Sequence, residues 1–369
     1  MGAPVQKISP GQFRLLVMLF SVGSSILLIP PALISASKED GWISGAIGVS
    51  VGVLIILLYI GLIKSHPGKS YFFMLEKTFG KWIGKAISFL YILFIILLTC
   101  EVLSNLGDFM TTQIMVETPK IYIHLLFLIP IMYGVGQGIE VLARTAQAIY
   151  PTFILLLFFL IVFLIPEGQL ENLEPVFGEG MKSIISGAFP ILTVPYLEMF
   201  VLILISTYVT DKNKVGKSFI IGGIMGGAIL ILITFLIILV LGYSFSSLLE
   251  YPTYVLAKKI NIADFLQRLE IIAAALWIIS LFFKVSICFY SSVEGVREWM
   301  NLTNHRALIF PLGICVLYFS ISVFPDSAYF AMIVNDVVFS YTLLFGMVIP
   351  LACFIVIRLK NKFSSKGTL

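Results

Sequence analysis

Apolar residues run along this chain in blocks of about 20, and the lysines, glycines and prolines gather in the short stretches between them. At 1.5 Å per residue such a block crosses the ~30 Å hydrocarbon core of a bilayer as a helix, so each block predicts a membrane span. Ten fit, at about 11–36, 43–64, 84–111, 120–138, 144–165, 181–208, 215–242, 263–291, 307–324 and 329–358. The first run, from Leu15 to Ala36, is too long for the apolar region of a cleaved leader, although Ser35-Ala36-Ser37 resembles a small-x-small cleavage site. The pattern predicts an all-α integral membrane protein.

Composition closes off the soluble alternatives. Hydrophobic residues make up 59% and charged residues 12%, with a mean hydropathy of +1.04, where a soluble domain is roughly a quarter charged. Nucleic-acid binding, secreted disulfide scaffolds and ordinary soluble enzymes are thereby excluded. Cys100, Cys288, Cys315 and Cys353 all lie in apolar runs without C-x-x-C spacing, and read as packing residues. Lysine and arginine set the orientation: 17 fall on the side of the termini and six on the other, so both termini are predicted to be cytoplasmic. The chain, 1–369, reads as one membrane domain, and no cofactor or metal-ligand motif is evident.

Two spans carry helix breakers where lipid offers nothing to an unpaired amide. Span one has Gly23-Ser24-Ser25 near its centre and Pro30-Pro31 further on; span six has Pro190 and Pro195 five residues apart. The breaks lie about half a chain apart, each in the first helix of a five-helix half. Five is odd, so the second half (about 181–358) enters the membrane inverted relative to the first (about 11–165), giving a 5+5 inverted repeat. Paired broken helices in inverted halves point to a mid-depth binding site, with half-helix starts near Ile26 and Tyr196 facing a ligand carboxylate. Gly23 is expected to be small because the backbone approaches that ligand. The bland alternative is a pair of kinks repaired by hydroxyl groups.

Ionisable residues inside the spans are expensive and should face a cavity or a partner. Glu101 falls near mid-depth; Glu198 and Lys284 share a depth and are predicted to pair, snorkelling of Lys284 being the alternative. Asp108, Glu270 and Asp336 read as solvated or capped helix ends. Elsewhere, Gly222, Gly223, Gly226 and Gly227 predict close helix packing in span seven, and Gly134-Val135-Gly136-Gln137-Gly138 a helix end. Tyr71 to Lys85 predicts an amphipathic interfacial helix, while His66, His124 and His305 lie in or beside connections without shared ligand spacing.

Certain motifs resemble a known family. Ten spans with breaks in the first and sixth, and Pro67-Gly68-Lys69-Ser70-Tyr71 followed by Gly80, resemble the amino acid/polyamine/organocation superfamily and its LeuT-type fold. More narrowly, Asp40-Gly41-Trp42-Ile43, Glu101, the run Asn172-Leu173-x-Pro175-Val176-x-Gly178-Glu179-Gly180, and Gln267-Arg268-x-Glu270 followed by Trp277-Ile278-Ile279 resemble the spore germination permeases, the B subunits of germinant receptors. The resemblance implies a subunit of the inner spore membrane, assembled with a larger A-type subunit and a lipid-anchored C-type subunit, that senses a small nutrient and triggers germination. It implies a ligand site between spans one, three, six and eight, lined by Gly23, Ser24 and Ser25, Glu101, Val194 to Tyr196 (with Pro195) and Glu198, and Lys284 with Ile287. Lys284 would stand where related transporters keep a sodium site, against sodium coupling. A proton-coupled amino acid transporter and a water or ion pathway remain the alternatives; an enzyme is the least supported class.

Overall fold

The computed structural model of the chain describes residues 6–258, 270–324 and 339–366. Asp336, Lys259, Gln267 and Arg268, with the first residues of spans eight and ten, lie outside them. The helices are α1 Pro10–Val22, α2 Ser25–Ser37, α3 Gly41–Ser65, α4 Tyr71–Phe79, α5 Lys81–Phe109, α6 Lys120–Gln137, α7 Ile139–Leu164, α8 Gly180–Gly187, α9 Phe189–Ile191, α10 Val201–Ser206, α11 Val215–Leu241, α12 Tyr243–Ser246, α13 Pro252–Lys258, α14 Glu270–Trp299, α15 Arg306–Ser322, α16 Phe339–Leu343 and α17 Ile349–Lys366. Helix occupies part of every range predicted above. Among the described residues eight runs are long and apolar enough to cross a membrane; α1 and α15 are shorter apolar helices, and α2 and α3 form one continuous run. Large apolar side chains stay exposed around the outside, Leu54, Leu126, Tyr133 and Phe310 among them, as lipid contact requires.

Span one divides where its glycine stands. Ser9 and Gln12 close a capping box ahead of Pro10, α1 ends at Val22, and the Gly23 amide reaches back to Leu19 O at 2.9 Å before α2 restarts at Ser25. Within α2, Pro30 has no N–H to offer Ile26 O; Thr253 Oγ1 donates to that carbonyl instead, at 2.8 Å. Span six behaves differently. It continues from α9 through a π-helical stretch, Leu192–Leu197, and a 3₁₀ turn, Glu198–Phe200, into α10, and Ile191, Leu197 and Glu198 all keep helical backbone angles. It is widened rather than interrupted, so the expected half-helix start near Tyr196 is not formed. A second π-helical stretch, Leu344–Val348, joins α16 to α17. Tyr59 spans both wide turns, its hydroxyl lying 3.0 Å from Leu197 O and 2.6 Å from Gly346 O. Tyr91 donates to Phe345 O at 2.6 Å.

Helix α11 wedges between α1 and α3 on two glycine pairs. Cβ atoms at Gly222 and Gly226 would meet Arg14 O, Val17, Met18 O and Ser21 of α1; at Gly223 and Gly227 they would meet Ile56 and Val49 of α3. The small-residue reading of this segment holds. Gly226→Leu is expected to force α1 off α11 at an overpacking cost of about 1–3 kcal/mol; membrane abundance and melting temperature in detergent should both fall, and unchanged values would deny the close packing.

The segments around Asp40 and Asn172–Gly180 fold onto each other at the side opposite the termini. Asp40 Oδ1 accepts from the Phe177 amide at 3.0 Å, Lys38 pairs with Glu179, and Asn172 Nδ2 donates to Leu239 O at 3.1 Å. Ser183 Oγ donates to Ala36 O at 2.6 Å, and Ser37 Oγ to Ser183 O at 3.1 Å, tying α8 to α2. On the terminal side, Ile8 pairs with the strand-like segment after α10, giving to Tyr208 O and accepting from Thr210 N, both at 3.0 Å. The amphipathic segment is shorter than expected: α4 stops at Phe79, Gly80 turns with φ +89°, and Lys81 already begins α5.

Candidate functional site

The break in span one sets the site. At Gly23 the chain leaves the helix, and a Cβ there would lie 2.5 Å from Lys284 Cδ, 2.9 Å from Lys284 Cβ and 2.9 Å from Phe20 O. The Lys284 side chain crosses Gly23 and by itself requires the residue to be small. Lys284 Nζ reaches Ser24 Oγ at 2.7 Å and lies 5.4 Å from the centroid of the Phe20 ring. Glu198, delivered by the 3₁₀ turn of span six, brings Oε2 to 2.6 Å from the same ammonium. At that separation the two charges are in direct contact. With side chains 0% and 2% exposed, the predicted pair is formed, and snorkelling of Lys284 is ruled out by its geometry.

Glu101 belongs to the same electrostatic cluster. It is buried on α5, close enough for its charge to act on both Glu198 and Lys284, with the Tyr341 hydroxyl at 3.5 Å. Along α5, Glu101, Ser104, Asn105 and Asp108 follow at i, i+3, i+4 and i+7, one buried polar stripe toward the far side. Sequence reading found its two acids but missed Ser104 and Asn105, which helical spacing alone would have revealed. Asp108 is no solvated helix end: it is buried and pairs at 2.9 Å with Lys120, which also donates to Ser104 Oγ at 2.8 Å and Phe324 O at 3.1 Å. His124, one turn into α6, is likewise buried, with Nδ1 2.9 Å from Ser320 Oγ. Glu270 is partly exposed at the start of α14.

The remaining sequence-predicted residues divide. Ser25 is buried with its hydroxyl unpartnered, as are Ser286, two residues past Lys284, and the Asn105 side-chain oxygen. Unpartnered buried polar atoms in a membrane core call for water or ligand. Ile287 is buried on α14, Pro195 is buried and Val194 partly so. Tyr196 is engaged elsewhere: its ring fills the space over Gly52 of α3, and its hydroxyl donates to Gly223 O of α11 at 3.0 Å. It supports the wide turn through spans two and seven.

Toward the far side the polar stripe ends under aromatic rings. Phe109 packs edge-on against Trp277 at 4.5 Å, Tyr251 at 5.1 Å and Tyr254 at 5.2 Å. Toward the terminal side, beyond Tyr290, opens a cavity of about 430 Å³ lined by Gln6, Ser70, Tyr208, Ser291, Glu294 and Glu298 among others. There Arg297 Nε holds Glu294 at 2.7 Å, and His305 Nδ1 lies 3.2 Å from Glu294. Burial holds His305 below the ordinary histidine range, against the pull of Glu294.

The family profile described as "Spore germination protein" matches residues 7–327. This chain belongs to that family. It is 29% identical over 365 residues to spore germination protein KB of Bacillus subtilis (strain 168), covering 98% of this chain and 97% of that one. With spore germination protein A2 of the same organism it shares 26% over 350 residues, 94% of each. Among solved structures, MhsT in complex with L-phenylalanine superposes with a TM-score of 0.68 over 97% of this chain and 90% of that chain, at 16% identity. A nucleobase-cation-symport-1 family transporter, closed with bromovinylhydantoin bound, gives 0.67 over 93% and 76%, at 9% identity. At these identities the likeness establishes the fold, which is the all-α, membrane-integral LeuT/APC transporter type. The expected family and the expected all-α membrane fold are therefore both met; eight runs among the described residues are long enough to span, and of the two breaks expected only that of span one is formed.

Proposed function

We propose that this chain is the nutrient-sensing, integral-membrane subunit of a spore germination receptor, taking a small ligand such as an amino acid at mid-depth between the first, third, sixth and eighth spans. The observation that carries this reading is the buried Lys284–Glu198 pair set against the opened backbone of span one. An ammonium beside a broken helix suits a ligand carboxylate, and Glu101 with the unpartnered oxygens of Ser25, Asn105 and Ser286 suits a ligand ammonium. The similar structure MhsT was solved with an amino acid, L-phenylalanine, which supports that ligand class here. On this reading the two halves, 11–165 and 181–358, form the inverted repeat with ten crossings. Both termini face the spore core in the inner spore membrane, and A-type and lipoprotein C-type subunits complete the receptor.

A second reading, proton-coupled transport, draws on Glu101, a third ionisable group acting on the pair. Reconstitution separates them. Proteoliposomes holding the purified chain are expected to take up no labelled nutrient beyond empty vesicles under a proton gradient; gradient-driven accumulation would make the protein a transporter.

A further inference from the structure

Away from that site, the terminal-side end of α3 and the face of α17 enclose an open groove of about 680 Å³. Its polar lining is Lys64 and Ser65 from α3, and Arg358, Asn361 and Lys362 from α17. Three of these are cations, and none of the groove's lining residues is a carboxylate. The floor is apolar and shaped by a glycine: a Cβ at Gly61 would lie 2.7 Å from Phe354 Cε2, so the missing side chain lets the phenylalanine ring lie flush against α3. The Arg358 guanidinium sits 5.1 Å from the centroid of that ring, which holds it at the edge of the groove. Nearby Lys360 donates to Thr78 O at 2.8 Å.

The surface changes character along both helices in the same direction. On α3, exposed Leu54 and Leu57 precede Gly61 and Lys64 at three- and four-residue steps, one stripe from apolar to basic. On α17, exposed Leu351 and Ile355 precede Arg358 in the same way. An apolar wall that becomes cationic at the end of two membrane helices matches a molecule with acyl chains and a negative head.

We infer that this groove is a binding site for one anionic phospholipid, its phosphate held by Lys64 and Arg358 and an acyl chain lying along Leu57 and Phe354. A phosphate bidentate on the Arg358 guanidinium and beside the Lys64 ammonium accounts for those two cations, Lys362 adds positive charge at the same end, and the Asn361 side chain adds donors. The site is independent of the nutrient reading, since it needs neither Lys284 nor Glu198.

The test uses the purified full-length chain in neutral detergent, titrated with phosphatidylglycerol, phosphatidylcholine or inorganic phosphate. Melting temperature and native mass spectrometry provide the readouts. Phosphatidylglycerol should stabilise the protein and remain bound at one tight copy, with phosphatidylcholine at least about tenfold weaker. The triple variant Lys64→Gln, Arg358→Gln, Lys362→Gln should lose that preference. A control with the same charge change, Lys69→Gln, Lys77→Gln, Lys81→Gln, should keep it. If the triple variant cannot be recovered, Arg358→Gln alone should weaken phosphatidylglycerol about threefold or more. Equal loss in the control, a preserved preference in the groove variant, or the full stabilisation reproduced by inorganic phosphate would each overturn the lipid site.

Discussion

Lys284→Ala is expected to cause the largest loss of any single substitution in this protein. It leaves Glu198 buried without its counter-charge, and removing one partner of such a pair costs about 3–5 kcal/mol. The stranded carboxylate must take a proton or open the packing between spans one, six and eight. Lys284→Met keeps the volume but not the charge, so it should lose stability too; a lysine reaching for the interface would have tolerated it. Glu198→Gln alone should cost as much, because it strands the ammonium. The double variant Lys284→Met, Glu198→Gln should recover much of the stability without the nutrient response, since neither charge remains to be buried. Melting temperature in detergent reads the first effect and germination in the presence of nutrient the second. Additive losses in the double variant would show that the two residues act independently.

Gly23→Ala is expected to act on the same lysine from the other side. The added methyl would meet Lys284 Cδ at 2.5 Å and Phe20 O at 2.9 Å, closer than side chains pack, so the lysine stem must move. Overpacking of this kind costs about 1–3 kcal/mol, and here it also draws the ammonium off Ser24 and Glu198. The nutrient concentration needed for half-maximal response should rise by an order of magnitude or the response should vanish. Gly11→Ala, on the same helix, is the control: its Cβ would meet only Ser9 Oγ, at 3.8 Å, and response and stability should stay unchanged. In a Lys284→Ala background the further cost of Gly23→Ala should shrink, because the Cδ it strikes is gone. A normal dose-response in Gly23→Ala would remove Gly23 from the site.

The span pattern, the break at Gly23, the glycine-lined α11 and the Glu198–Lys284 pair were all legible from hydropathy, helix breakers and depth arithmetic. These features are local in sequence, or follow from the cost of charge in lipid, and lipid allows few solutions. The errors share one cause: residue type marks a position as special without saying which neighbour makes it so. The Gly23 pattern signals a close approach without naming Lys284 as the neighbour that makes it. Tyr196 lies beside Pro195 in the widened turn, but its ring faces Gly52, a contact 144 positions away in the chain that no local pattern encodes. Prolines in span six signalled irregularity correctly. Whether a chain breaks or winds wider there depends on a hydroxyl such as that of Tyr59 arriving from another helix. Asp108 was misjudged because its partner Lys120 lies across a turn, in what read as a separate span.

The central claim is that a small nutrient binds against the opened backbone of span one, beside Lys284 and Glu101. Its most direct measurement is calorimetric titration of a panel of amino acids, sugars and nucleosides into the purified receptor complex, wild type and with Glu101→Gln. At least one nutrient should bind the wild-type complex saturably, and Glu101→Gln, which removes the ionisable carboxyl group without removing volume, should weaken that nutrient about tenfold or more. Binding of the same nutrient with unchanged affinity in the variant, or no binding across the panel, would contradict the account.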